Sequence, residues 1–241
     1  MNVLIKAVTF DLWNTLISER SYADRRIRYL VNILNEQGIT KDHAEIKGYY
    51  VEAHEYAHKV WKTENYRYVP AWERLEYILR RLCVDLPGDL KTSITKMFEE
   101  AILEDPPPLV EGARKVLETL NQNYTLGIIC DSGITPGRVL RLVLKKREIL
   151  DFFECTVFSD EIGYNKPHRL MFETALKYLD VKPSEALHVG DLLHTDIAGA
   201  KAVGMKAVWF DRGTSEKTGQ YVPDFRISRL SRLLDVLKRV C

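Results

Sequence analysis

Ala7-Val8-Thr9-Phe10-Asp11-Leu12-Trp13-Asn14-Thr15 sets four strand-forming residues directly before an acid and a polar turn. A short apolar run of this kind reads as a strand buried on both faces of a parallel sheet. Three further runs have the same form: Leu126-Gly127-Ile128-Ile129-Cys130, Ala186-Leu187-His188-Val189 and Ala207-Val208-Trp209-Phe210. A fifth, Cys155-Thr156-Val157-Phe158, is shorter. Beyond residue 110, helix-period stretches at 111–122, 136–149, 168–179, 195–203 and 228–239 separate or follow these runs. Strand and helix in alternation predict an α/β fold, a doubly wound parallel sheet.

Residues 18–105 break that alternation. They hold no strand-like run and read as amphipathic helices near 21–37, 42–64, 70–83 and 88–104, with breaks at Gly38, Val69-Pro70 and Asp85-Leu86-Pro87-Gly88. Asp105-Pro106-Pro107-Pro108 cannot continue a helix and makes a boundary. The expected organisation is an α/β core domain from 1–17 and 106–241, interrupted by an all-helical insert at 18–105.

Composition narrows the function classes. Hydrophobic residues are 46% and charged residues 29% of the 241, the profile of a soluble globular protein. The net charge of +1, from 35 basic and 34 acidic side chains, supplies no field for nucleic-acid binding. The densest basic run, Arg138, Arg141, Lys145, Lys146 and Arg147, reads as a solvated helix face. Cys83, Cys130, Cys155 and Cys241 have no paired short spacing and read as reduced thiols. No apolar run approaches the roughly 20 residues a membrane-spanning helix needs. No signal-peptide pattern precedes the first strand. A cytoplasmic protein, monomer or homodimer, is the expectation.

Ligands of open α/β sheets bind at the carboxyl ends of the strands. There the sequence places Asp11 through Thr15, then Cys130-Asp131-Ser132-Gly133, then Ser159-Asp160-Glu161 running on to Lys166-Pro167, and last Gly190-Asp191 through Asp196. Acids, one lysine and small hydroxyl or thiol groups would converge on one sheet edge. That set suits phosphoryl transfer. Carboxylates hold Mg²⁺ through oxygen, lysine offsets phosphate charge, and a carboxylate nucleophile gives an acyl phosphate that water can cleave.

In order and spacing these four clusters resemble the four motifs of the haloacid dehalogenase (HAD) superfamily, over residues 6–17 and 109–212. The resemblance implies Asp11 as nucleophile and Thr15, Asp131, Ser132 and Lys166 as phosphate-binding groups. Cys130, Ser132 and Lys166 join Asp11 as its catalytic set. It implies Mg²⁺ held by Asp11, the Trp13 backbone carbonyl and Asp191, with Asp196 supporting. The insert takes the place of that family's cap domain, and the implied substrate is a small phosphorylated metabolite. Two positions depart from the pattern. Family phosphatases carry an acid two residues after the nucleophile to protonate the leaving group. Trp13 stands there, and indole cannot do that work. Cys130 stands where a serine or threonine is usual.

Haloacid dehalogenases also lack that acid, so a 2-haloacid dehalogenase is an alternative, although Asp191 and Asp196 resemble the magnesium-binding version of the fourth motif. A catalytically weak relative that binds phosphorylated metabolites or a protein is another. A third comes from His54-Glu55-Tyr56-Ala57-His58, which has the spacing of a zinc peptidase helix. Against it, Glu52 and Lys59 flank the histidines; the plain reading is a half-exposed helix of the insert, and a middle reading has His54 or His58 facing the active site. Trp61 and Trp72 read as core of the helical insert.

Overall fold

The computed structural model describes residues 4–213 and 220–240, so Cys241 lies outside the described residues. Its centre is a six-stranded sheet, every pairing parallel, in the order β3-β2-β1-β4-β5-β6. The strands are β1 (Ala7–Phe10), β2 (Thr125–Cys130), β3 (Cys155–Phe158), β4 (Ala186–Gly190), β5 (Lys206–Phe210) and β6 (Phe225–Ile227). The chain builds outward on one side of β1, then crosses to build outward on the other. That reversal leaves a crevice beyond the carboxyl ends of β1, β2 and β4. All five expected strands form. β6 was not anticipated: Phe225-Arg226-Ile227 is three residues long with a charge at its centre, too short to show a period.

β1 is buried throughout because helices cover both faces. Val8, Phe10, Leu126 and Ile128 point to one side, against α5 (Ala113–Leu120), α6 (Gly137–Lys146) and α10 (Leu233–Val240). Ala7, Ile129, Val157 and Trp209 point to the other, against α8 (Arg169–Tyr178) and α9 (Ala198–Ala202). Alternation of this kind follows from the two-residue period of a strand. α7 (Ser159–Ile162) is a single turn after β3.

The segment after β1 is helical as expected: α1 (Ala23–Glu36), α2 (His43–Thr63), α3 (Ala71–Arg81) and α4 (Gly88–Glu100). Pro70 and Pro87 stand at the N-caps of α3 and α4, and Gly38 takes φ +72° after α1. The four helices share an apolar cluster of their own, with Leu30, Tyr50, Leu75, Ile78, Ile94 and Phe98 at its heart. Ile134, from the loop after β2, also enters this cluster.

Two expectations need correction. Trp72 is 57% exposed and Trp61 docks on the sheet side, donating from Nε1 to the Lys166 carbonyl at 2.9 Å, so neither tryptophan is core of the helical segment. Nor is the basic run a free solvated face. Arg138 pairs with Glu99 and Glu100, Arg141 pairs with Glu161, and Arg147 donates to the Pro106 and Pro107 carbonyls. These residues tie α6 to the segment before it and to α7.

Candidate active site

β1 ends just before Asp11, β4 just before Asp191, and the segment after β3 brings Lys166 against Asp11. Lys166 is 2% exposed, and its Nζ donates to Asp11 Oδ1 at 2.6 Å, Asp196 Oδ1 at 2.6 Å and the Ile129 carbonyl at 3.0 Å. All three ammonium protons are therefore used. Burial opposes the lysine's charge, but Asp11, Asp196 and Asp131 outweigh it and hold the group well above the usual lysine range.

Asp196 reaches Lys166 because the backbone folds back on itself. Residues Leu193–Ile197 form a π-helical turn leading into α9, and the Asp196 Oδ2 accepts from the Leu192 N–H at 3.0 Å. Such turns often mark functional positions. Burial works against ionisation of Asp196, yet Lys166 and His188 (Nε2 at 3.4 Å) prevail and hold its carboxyl well below the usual range. Asp11 and Asp191 go the other way. Burial, with Asp196 adding, raises Asp11 to about 6 against the pull of Lys166. Burial, with Asp11 and Asp196 adding, raises Asp191 to about 8.

Carboxylate oxygens of Asp11, Asp191 and Asp196 lie within 4.8 Å of one another. Three acids around one buried ammonium leave an excess of negative charge among hard oxygen donors. That donor set fits Mg²⁺, which takes one or two carboxylates and leaves room for water and phosphate.

The acids open into a cavity of about 740 Å³, whose wall includes Asp11, Trp13, Asp131, Ser132, Lys166, Asp191 and Asp196. Ser132 is held by Ser159, its N–H and Oγ both 2.9 Å from the Ser159 Oγ, and its own Oγ accepts from the Asp160 N–H at 3.1 Å. The Asp131 Oδ1 accepts from the Lys166 backbone N–H at 2.8 Å, and burial raises its carboxyl to about 7.

Two residues expected to face the phosphate stand behind the wall. Thr15 is fully buried, its Oγ1 without a partner among the described residues, because the turn from Trp13 closes through the Asn14 N–H to the Ile17 carbonyl and rolls Thr15 inward. Cys130 is also fully buried, since the last residue of β2 still follows the pleat into the core, and its Sγ contacts the Asp131 carbonyl. Burial and Asp11 raise its thiol well above the usual range.

The zinc-peptidase reading does not hold. His54 and His58 sit on α2, but the His54 Nδ1 lies 3.2 Å from Arg74 Nη1. A guanidinium only donates, so Nδ1 accepts and is already engaged beside a cation. His58 stacks on Trp61, with centroids 5.6 Å apart. Among the described residues, the metal-compatible group is the aspartate set alone. His54 does line the large cavity, as the middle reading had it. Among the wall residues that sequence reasoning missed are Arg26 and Tyr50, from α1 and α2, and Thr135, from the loop after β2.

Residues 5–204 match a family described as haloacid dehalogenase-like hydrolase. The chain is 35% identical over 243 residues to a glyceraldehyde 3-phosphate phosphatase of Pyrococcus abyssi, covering 98% of this chain and 93% of that one. Among solved structures it is similar to a HAD phosphatase from Thermococcus onnurineus, with TM-score 0.68, 25% identity and coverage of 97% and 98%. A 2-haloacid dehalogenase from Pseudomonas syringae pv. Tomato has TM-score 0.76 at 23% identity, with coverage of 99% and 100%.

Proposed function

The chain belongs to the haloacid dehalogenase-like hydrolases, and on that premise we propose that it is a cytoplasmic, Mg²⁺-dependent phosphatase of a small phosphorylated metabolite. The observation that carries the reading is the buried Lys166 bridge between Asp11 and Asp196, with Asp191 beside it on the cavity wall. Lys166 fixes the orientation of the Asp11 carboxylate. Asp11 attacks phosphorus, the bond from phosphorus to the leaving oxygen breaks with its electron pair, and an acyl phosphate forms on Asp11. Water then attacks that phosphorus, restoring the carboxylate and releasing inorganic phosphate. Ser132 and Asp131, on the wall, face the phosphate. Thr15 and Cys130, behind it, shape the two loops.

Asp11, Asp191 and the Trp13 carbonyl would hold Mg²⁺, with Asp196 supporting them. When bound, the ion would draw charge from the phosphate oxygens and ease their repulsion from Asp11. The excess of acid over base at this edge favours a metal-assisted phosphatase over a metal-free dehalogenase. Phosphate release from a panel of metabolite phosphates, with Mg²⁺ or with EDTA, tests the proposal. Mg²⁺-dependent release is expected. Halide release from 2-haloacids in EDTA, without phosphate release, would establish the dehalogenase instead, and neither activity would leave a binding protein.

A further inference from the structure

A second anchoring point lies on the part of the cavity wall built from α1 and α2. Arg26 is 7% exposed, yet its guanidinium meets only neutral acceptors: Nε donates to the Phe98 carbonyl at 2.8 Å, Nη1 to the Tyr50 hydroxyl at 3.3 Å and Nη2 to Thr135 Oγ1 at 3.1 Å. A guanidinium has five N–H donors, so two stay available. Among the described residues, no carboxylate pairs with it. Buried arginines are ordinarily neutralised by a carboxylate, so this charge is an exception that asks for a partner.

A second cation lies close by. Arg74 donates to the Val69 carbonyl at 3.2 Å and to His54, again with no carboxylate partner, because the adjacent Glu73 is paired with Arg67. Burial first, with Arg26 contributing, lowers the Arg74 pKa. His54 sits between the two arginines in effect. Burial, then Arg74 and Arg26, push it down to about 4, so it is neutral at physiological pH. With Nδ1 accepting from Arg74, its proton is on Nε2, and the ring can only donate at its remaining nitrogen. The Tyr50 and His54 rings meet edge to face at a centroid distance of 5.0 Å, fixing the imidazole. Arg26, Tyr50 and His54 share the cavity with Asp11 and Lys166.

From this geometry we infer that the substrate carries a second anionic group, a carboxylate or a second phosphate, held by Arg26 and His54 while its scissile phosphate lies at Asp11. The inference rests on the phosphatase reading and narrows its substrate class. A monoester whose far end is uncharged leaves the buried Arg26 charge, with the partly buried Arg74 nearby, without an anion. A substrate with an acidic far end supplies that anion and accepts the free N–H groups.

Calorimetric binding with saturating Mg²⁺ tests this without turnover, using propylphosphonate, 3-phosphonopropionate and propane-1,3-bisphosphonate. The wild-type protein should bind at least one of the two acidic-ended ligands about tenfold more tightly than propylphosphonate, the scale of one charge-assisted hydrogen bond. Whichever is tighter tells carboxylate from phosphate. Arg26→Gln should bring all three to one affinity. Should that variant fail to fold, His54→Leu should reduce the same preference. Equal affinities in the wild type, or a preference that survives in a folded Arg26→Gln, would overturn the inference. Turnover is read separately: failure to hydrolyse any phosphate ester sinks the phosphatase reading, whereas equal phosphonate affinities sink only the second-anion pocket.

Discussion

The carboxylate of Asp196 occupies the space that a side chain on Gly190 would need: a Cβ built there falls 2.3 Å from the Asp196 Cγ and 2.4 Å from its Oδ2. Gly190 ends β4 and directly precedes Asp191, so one missing methyl allows the π-helical turn to fold Asp196 back onto Lys166. Gly190→Ala should therefore act as a mutation of Asp196. Displacing that carboxylate loosens Lys166 and the acids around it, and loss of such supporting groups typically lowers activity or metal affinity roughly 10–100-fold. Phosphate-release kinetics across a Mg²⁺ titration check this. Wild-type kinetics in Gly190→Ala would show that Asp196 does not set the geometry.

The raised carboxyls make the metal visible in stability. Folding lifts Asp11 to about 6, Asp131 to about 7 and Asp191 to about 8, above the unfolded value near 3.8. Across that window the folded state holds more protons than the unfolded one, so stability falls as pH rises towards 8. His54 has the opposite sign, since its folded value of about 4 lies below 6.5, but its effect ends above pH 6.5. In EDTA, Tm should fall between about pH 6.5 and 8. Mg²⁺ should raise Tm more at pH 8 than at 6.5, because it binds the ionised acids. A Tm indifferent to Mg²⁺ at pH 8 would remove the aspartate set as a metal site.

The strands were legible because residues buried on both faces form short runs that are almost wholly apolar or β-branched, as in Ala7–Phe10 and Ile128–Cys130. The acids and Lys166 were legible because each follows such a strand at the ligand-binding edge. β6 was hidden by its length and by Arg226, whose guanidinium pairs with Asp211 and lies over the Trp209 ring. Arg26 was hidden because an arginine on a surface helix usually points to water. One signal existed: Arg26 shares the face of Leu30 and Ile33, both buried, so it falls within the apolar stripe of α1. Thr15 and Cys130 show the reverse case, in which motif position pointed to the phosphate while the local turn and pleat point them into the core.

Trp13 leads to a prediction about leaving groups. It lines the cavity, and the nearby His54 is neutral near pH 7 with its proton on Nε2, so that ring donates a hydrogen bond but is too weak an acid to replace the missing carboxyl. A positioned general acid is worth on the order of 10²–10⁴ in rate. Among monoesters without a second charge, aryl phosphates should outrun alkyl phosphates by a large factor, with log kcat falling steadily as leaving-group pKa rises. A flat dependence, with chemistry limiting turnover, would mean that another group delivers the proton. Asp131, the wall carboxyl raised to about 7, would then be the first to mutate to Asn.

The central claim is that Asp11 attacks phosphorus, and phosphate release by Asp11→Asn in saturating Mg²⁺ tests it most directly. The amide removes the nucleophile but keeps the shape at the end of β1, so the protein should fold, with Tm recorded on the same sample. Turnover should fall by ~10⁴-fold or more, the scale on which removal of a nucleophile acts. A folded Asp11→Asn protein releasing phosphate at close to the wild-type rate would contradict the account.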